Sequence, residues 1–255
     1  MKPRPASSPP RDHYSYSVYA DPATAQTFDD RRFGGPIGEI VAATQAQVLT
    51  EFVAARGRSI LDVGTGTGRA ALLLARAGAD VVGVDASEQM LAVARSRAAA
   101  EGASVRFETG DAHALAFPDR SVDAALSLRV LMHTPDWRQC VAELCRVARD
   151  IVVVDYPAAA SVALFESAAR RVAHAAGAKT EPYRVFTDAA VDRAFAACGF
   201  RVRARHRLFV LPIALHKAIG SRVFTERSER VLDRTGLLSL FGSPVTLVAE
   251  RCASS

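Results

Sequence analysis

The sequence lacks the cysteine pattern of a metal site or of a disulfide-stabilised secreted domain. Its four cysteines, Cys140, Cys145, Cys198 and Cys252, include no C-x-x-C pair. His113 and Asp111 are close in sequence, but no further ligands accompany them, so we expect no bound metal. A reducing cytoplasm is the simplest expected location.

Long apolar runs and a strong net charge are also missing. No run of eighteen apolar residues occurs, which argues against a membrane-spanning helix. The first eleven residues hold four prolines and no apolar run, so they do not resemble a secretory signal. With 32 basic and 27 acidic residues the net charge is +5, which is low for a dedicated nucleic-acid binder.

The remaining composition suits one α/β domain with a cap. Apolar residues make up 49% of 255, enough for a packed core. We expect residues 1–13 to form a disordered tail, residues 14–57 an N-terminal cap segment, and residues 58–255 the main domain. An amphipathic insertion at about 211–242 is expected to form either a lid or a homodimer contact.

The most informative stretch is a strand, a glycine loop, a helix and a second strand. Ile60–Val63 predicts a buried strand, Ala70–Ala77 a helix that Gly78 ends, and Ala79–Val84 a strand followed by Asp85. Three glycines stand between the first strand and the helix: Gly64, Gly66 and Gly68. Glycines let a ligand approach the backbone at the positive end of a helix, and an acid at the second strand can bind a ribose diol. The unit therefore predicts a site for an adenosine-like ligand.

The glycine spacing separates two ligand classes. A dinucleotide fingerprint needs a small residue at position 69, which is Arg69, so a nicotinamide-dependent oxidoreductase is the less favoured alternative. The pattern that begins at Asp62, acid-x-G-x-G-x-G, resembles motif I of the class I S-adenosylmethionine-dependent methyltransferases. Three later stretches are similar to further motifs of that family: Gly110–Ala112, Phe117–Ser127 and Val130–Asp136. The resemblance covers about Arg58 to Asp155, and the core is similar to the branch that includes the quinone-biosynthesis methyltransferases.

The predicted fold is a Rossmann-like, doubly wound, seven-stranded sheet with an N-terminal and a late-insertion helical cap. Alternating strands and helices predict five parallel strands, the last three at Val105–Thr109, Val122–Leu128 and Ile151–Asp155. The resemblance adds two antiparallel-type strands, for which Phe200–Phe209 and Pro244–Glu250 are the candidates. Further helices are predicted at about Ile37–Phe52, Asp136–Ala148, Ser161–Ala176 and Asp188–Cys198.

The resemblance implies S-adenosylmethionine as cofactor and S-adenosylhomocysteine as product. It places the glycines beside the methionine part, Asp85 on the ribose, and Asp111 with Ala112 on the adenine. Asp62 is expected to bind either the loop backbone or the cofactor's amino group, and Arg32 either the cofactor carboxylate or solvent. The remaining predicted cofactor residues are Thr65, Ala86, Met90, Ser127, Leu128, Arg129 and Tyr19. The aromatic segment Tyr14–Phe33 either closes over the cofactor or packs against the domain.

A general base is needed only where the acceptor must lose a proton. His133, at the mouth of the fourth strand, is the best-placed candidate, with a packing role as its alternative. Other candidates are His206, His216, Tyr14 and Tyr19.

The expected function is methyl transfer to a small organic acceptor at oxygen, nitrogen or carbon, by in-line displacement. An RNA methyltransferase and an S-adenosylmethionine-binding protein without methyl transfer are the alternatives. The RNA hypothesis depends on four arginines, predicted to share one strand face: Arg201, Arg203, Arg205 and Arg207. The same face could instead be a solvated sheet edge that discourages aggregation.

Overall fold

A computed structural model of the chain describes residues 22–177 and 183–253. The predicted tail, residues 1–13, and the predicted site residue Tyr19 lie outside this part, as do Tyr14 and Tyr16.

Seven strands form one sheet in the order β3-β2-β1-β4-β5-β7-β6. They are β1 Ser59–Val63, β2 Asp80–Asp85, β3 Val105–Thr109, β4 Val122–Ser127, β5 Ala148–Tyr156, β6 Phe200–Phe209 and β7 Ser243–Arg251. Strands β1 to β5 are parallel, and β7 is antiparallel to both β5 and β6. This confirms the predicted doubly wound, Rossmann-like sheet. The strand order reverses between β1 and β4, where ligands of such sheets bind beyond the carboxyl ends.

The helices follow the predicted periodicity closely. They are α1 Pro22–Phe33, α2 Gly35–Val53, α3 Arg69–Arg76, α4 Glu88–Glu101, α5 Trp137–Val147, α6 Ala163–Ala175, α7 Asp188–Ala197, α8 Ile213–Ile219, α9 Arg222–Arg234 and α10 Leu237–Phe241. Side-chain oxygens cap several N-termini, as predicted for Ser87 and Thr187, which accept from the N–H groups of Met90 and Ala190. The bounds of the predicted helices and strands are met within about three residues. Helix α1 lies within residues 14–57, the predicted N-terminal cap segment.

The core has two layers, one on each face of the sheet. Helices α5 and α7 cover one face, where Val141 and Phe195 pack against Leu247. Helices α2 and α3 cover the other, where Val53 and Leu74 are buried. Strands β1, β4 and β5 are therefore apolar on both sides, as their near-continuous apolar sequences require.

The prediction that Arg201, Arg203, Arg205 and Arg207 share one face is wrong. The β6–β7 register shifts between Val202 and Ala204, so one extra residue interrupts the alternation of side chains. Arg203 consequently contacts the Phe52 carbonyl of α2 and Glu250, whereas Arg205 and Arg207 bind Asp192 and Asp188 of α7 on the opposite face. These acids neutralise the strand and remove the basic wall on which the RNA hypothesis depended.

The late insertion contains helices α8, α9 and α10 between β6 and β7. A buried network fastens it: Glu229 accepts from the N–H groups of Val210 and Leu211, at 2.7 and 3.0 Å, and lies 2.9 Å from His216 Nε2. Lys217 donates to the Arg32 carbonyl oxygen at 3.1 Å, which joins the insertion to α1. Within residues 22–177 and 183–253, no helix is long and apolar enough to cross a membrane.

Candidate active site

A cavity of about 180 Å³ opens beyond the carboxyl ends of β1, β2 and β4, at the reversal of strand order. It gathers most of the predicted site residues. Those that line it are Arg32, Asp62, Gly64, Thr65, Gly66, Asp85, Ala86, Met90, Asp111, Ala112, Leu128, Arg129 and His133. Stretches more than a hundred residues apart therefore meet in one cavity.

Two predicted residues of the described chain lie outside this lining. A Cβ added to Gly68 would be 3.0 Å from the Ala94 Cβ and 3.1 Å from the Phe107 ring, so this glycine lets the start of α3 pack closely. Ser127 is fully buried and donates its hydroxyl to the Val63 carbonyl at 2.9 Å. Both residues therefore support the glycine loop and the strand ends from outside the cavity.

The glycine loop turns sharply under the end of β2. The N–H groups of Gly64 and Thr65 both donate to the Val84 carbonyl, at 2.7 and 3.0 Å. Gly64 has a φ of +73°, and a Cβ there would stand 2.2 Å from the Val130 side chain. Both the backbone conformation and the space therefore require glycine at this position.

Asp85 ties the loop to the following helix. One carboxylate oxygen accepts the Gly66 N–H at 2.8 Å, and the other accepts the Ser87 N–H at 2.9 Å. Burial raises the pKa of Asp85, and the two backbone bonds oppose this rise. Each carboxylate oxygen can accept a further bond, so the group is oriented to receive a pair of ligand hydroxyls.

Asp62 is the deepest acid of the cavity, with 2% of its surface exposed. Its carboxylate accepts the Thr65 hydroxyl at 2.7 Å. Burial raises the pKa of Asp62 to about 7, against an ordinary 3.8, and the charge of Asp85 adds to the effect. A cation placed here would favour the ionised form.

Asp111 and His113 form a pair on the opposite wall. An Asp111 oxygen lies 2.7 Å from His113 Nδ1 and also accepts the His113 N–H at 2.9 Å. Since the carboxylate accepts, Nδ1 carries the proton of this hydrogen bond. Among the described residues, His113 Nε2 is a buried atom without a hydrogen-bond partner.

Helix α1 and its neighbours supply a wall that the motifs did not indicate. Phe28, Asp29 and Phe33 of α1 line the cavity, together with Gln45 of α2 and Arg69. Arg69 lies over the Phe33 ring, 3.6 Å from its centroid, and donates to Gln45 at 2.6 Å. These contacts join α1 and α2 to the start of α3.

Asp29 fixes α1 to the glycine loop and to α4. It accepts the Thr67 hydroxyl, at 2.9 and 3.1 Å from its two oxygens, and pairs with Arg97. Phe28 and Asp29 lie in the segment Tyr14–Phe33, which was predicted either to close over the cofactor or to pack against the domain, and no motif indicated them as site residues.

His133 lies on the cavity wall, 7% exposed, in the short 3₁₀ turn Leu131–His133. The other histidine candidates do not line the cavity: His206 lies in β6, where burial lowers its pKa, and His216 is buried in the insertion.

Beside His133, Arg129 has a φ of +61° and donates its N–H to the buried Asp155. Burial raises the pKa of Asp155, and the charges of Arg129 and Arg32 oppose the rise. Within the described ranges, no group of three or more histidine, cysteine, aspartate or glutamate side chains is arranged to hold a metal.

Comparison with known proteins identifies relatives of the central part of the chain. Residues 60–150 match a family model described as a methyltransferase domain. A demethylmenaquinone methyltransferase of Thermus thermophilus is 42% identical over 105 residues, which are 39% of this chain and 48% of that protein. The methyltransferase GfsG of Streptomyces halstedii is 33% identical over 141 residues, which are 54% of this chain and 48% of that protein. The chain thus matches about half the length of these curated relatives.

A solved structure extends the likeness of fold over most of the chain. Magnesium protoporphyrin IX methyltransferase of Synechocystis, crystallised with bound SAH, superposes with a TM-score of 0.65 at 19% identity. The match covers 93% of this chain and 98% of that one. At this identity the likeness concerns the fold.

Proposed function

We propose that the chain is a class I S-adenosylmethionine-dependent methyltransferase that methylates a small organic acceptor, which is supported by the match of residues 60–150 to a methyltransferase domain. The methyl donor is S-adenosylmethionine and the second product is S-adenosylhomocysteine. The observation that carries the proposal is the cavity in which the glycine loop meets Asp62, Asp85 and Asp111. The proposal also treats α1 and residues 211–242 as caps on the domain.

The cavity offers one group for each polar part of the cofactor. Asp85 binds the ribose hydroxyls through its oriented carboxylate, while Asp111 and the backbone of Ala112 bind the adenine. Asp62, ionised by the arriving cation, faces the ammonium group of the methionine part. Arg32 pairs with the carboxylate, for which a guanidinium has matching geometry. Leu128 and Arg129 complete the methionyl end.

The sulfonium already carries an activated methyl group, so the protein's main task is alignment. Bound S-adenosylmethionine would supply this methyl group to the acceptor's lone pair, and the electrons of the broken carbon–sulfur bond would go to sulfur. Holding acceptor, methyl and sulfur in line supplies much of the acceleration. Where the acceptor is a phenol or another acid, His133 accepts its proton.

The acceptor enters between α1 and the insertion. Lys217 of α8 joins these two elements at the carbonyl of Arg32, a residue that lines the cavity. The matched relative from Thermus thermophilus is named a demethylmenaquinone methyltransferase, which supports a biosynthetic small-molecule role for this chain. We place the reaction in the cytoplasm, since the free thiols of Cys140 and Cys145 suit a reducing compartment.

The proposal is tested by methyl transfer from S-adenosylmethionine to a panel of hydroquinones, phenols and amines, with S-adenosylhomocysteine measured by mass spectrometry. We expect S-adenosylhomocysteine to be released only with a suitable acceptor, and its release to fall strongly in Asp85→Asn. The control is Asp80→Asn, which changes an exposed acid of the same strand and should leave the release unchanged. Cofactor binding without turnover on any acceptor would instead favour a binding protein. Methylation of RNA alone would favour the RNA hypothesis.

A further inference from the structure

We propose that a second ligand site, for a phosphate-bearing anion, lies at the end of the sheet opposite the cofactor cavity. An open basin of about 720 Å³ occurs there. Five arginines line it: Arg58, Arg120, Arg149, Arg203 and Arg251. Arg58 and Arg120 precede β1 and β4, and Arg149 is the second residue of β5, so the basin adjoins the amino ends of parallel strands. It is therefore separated from the cofactor cavity by the length of the strands.

Some of these arginines are committed to the fold. Arg149 donates to the carbonyls of Arg120 and Ser121 and to Asp123, at 2.8 to 3.2 Å. Arg203 is held by Glu250 and the Phe52 carbonyl. Their guanidinium groups form the fixed frame of the basin.

Two arginines keep donors available. In the part of the chain that the structure describes, the Arg120 guanidinium makes no hydrogen bond or ion pair. Arg58 Nη1 is buried without a hydrogen-bond partner there, and the nearest carboxylate oxygen, of Asp150, is 3.8 Å away. A buried donor left unpaired costs free energy, which an acceptor in the basin would recover.

Like charges also converge. Burial lowers the pKa of Arg251, and the positive charge of Arg120 lowers it further. Among the described residues, Arg149 is paired with Asp123, and two further carboxylates, those of Asp150 and Glu250, line the basin with the five arginines. The positive charges of neighbouring arginines repel one another, and a multivalent anion bound between them would replace this repulsion with attraction.

The lining selects the ligand class. A volume of this size suits a small molecule, but the lining is mainly guanidinium rather than apolar. Guanidinium groups match the geometry and charge of phosphate, to which they bind in a bidentate manner. The ligand is thus a small molecule with two or more phosphate charges, supplied either as free polyphosphate or as the phosphates of a nucleotide.

Calorimetric titration of the full-length protein with inorganic pyrophosphate at about 0.15 M salt tests the proposal. We expect saturable binding, unaffected by saturating S-adenosylhomocysteine, that weakens about tenfold in Arg120→Gln and in Arg58→Gln. Neither substitution removes a hydrogen bond of the described fold. The control is Arg106→Gln, an exposed arginine of β3 at the far edge of the sheet, which should bind as the unchanged protein does.

Uridine diphosphate in place of pyrophosphate distinguishes the two sources. Tighter binding supports a nucleotide ligand, and equal binding supports free polyphosphate. The proposal is overturned if pyrophosphate gives no saturable binding, or if Arg106→Gln weakens the binding as much as Arg120→Gln.

Discussion

Replacing Asp62 with asparagine should abolish a large pH dependence of the free energy of unfolding. The folded protein holds the Asp62 proton up to about pH 7, whereas an unfolded aspartate loses it near 3.8. The stability contributed by this proton is therefore complete below pH 3.8 and is lost progressively as the pH rises to about 7. At about 1.4 kcal/mol per pH unit, the loss amounts to about 4 kcal/mol.

Urea unfolding followed by circular dichroism at several pH values between 4 and 8 measures this loss. Asparagine keeps an oxygen for the Thr65 hydroxyl but cannot ionise, so the Asp62→Asn variant should gain about 4 kcal/mol relative to the wild type across this range. Asp80→Asn, at an exposed position of β2, is the matched control and should run parallel to the wild type. Parallel curves for Asp62→Asn and the wild type would refute the attribution of the raised pKa to burial.

Three further changes test other parts of the fold. Gly64→Ala should lower the free energy of unfolding, measured in urea, by about 3 kcal/mol, because a Cβ there is strained and also meets Val130. The control is Gly102→Ala, which has a similar φ of +62° but open space around it. It should lower the free energy of unfolding by about 1 kcal/mol. Ala54→Gly should raise it by about 1 kcal/mol, since Ala54 ends α2 with a φ of +47°, where glycine is unstrained. Glu229→Ala removes the acceptor of two backbone N–H groups and should speed hydrogen exchange in residues 210–234 while leaving β1 protected.

The sequence predicts the centre of this protein well because its signals there are local. The apolar strands, the glycines and the acids at strand ends each follow from the residues of one short segment. Parallel strands bring their carboxyl ends to the same edge, so Asp62, Asp85 and Asp111 meet as expected. Gly64 could be predicted as a loop glycine because the conformation of a turn depends mainly on its own residues.

The errors arise where tertiary contacts decide the outcome. The bulge after Val202 depends on pairing with β7, which the arginine alternation does not reveal, so Arg203 and Arg205 fall on different faces. Asp29 acquires its place from Thr67 and Arg97, which lie far along the chain. The buried Glu229–His216 network likewise forms only once α8 and α9 pack together.

Calorimetric titration with S-adenosylhomocysteine and, separately, with NADH tests the central claim most directly. We expect saturable binding of S-adenosylhomocysteine that far exceeds any binding of NADH and weakens about a hundredfold in Asp85→Asn, which loses the charge that strengthens two hydrogen bonds to the ribose. The asparagine side chain keeps one oxygen that can accept a hydrogen bond from the glycine loop. A circular dichroism spectrum equal to that of the unchanged protein verifies that the variant is folded. If S-adenosylhomocysteine binds no better than NADH, or equally well in Asp85→Asn, this cavity is not the cofactor site.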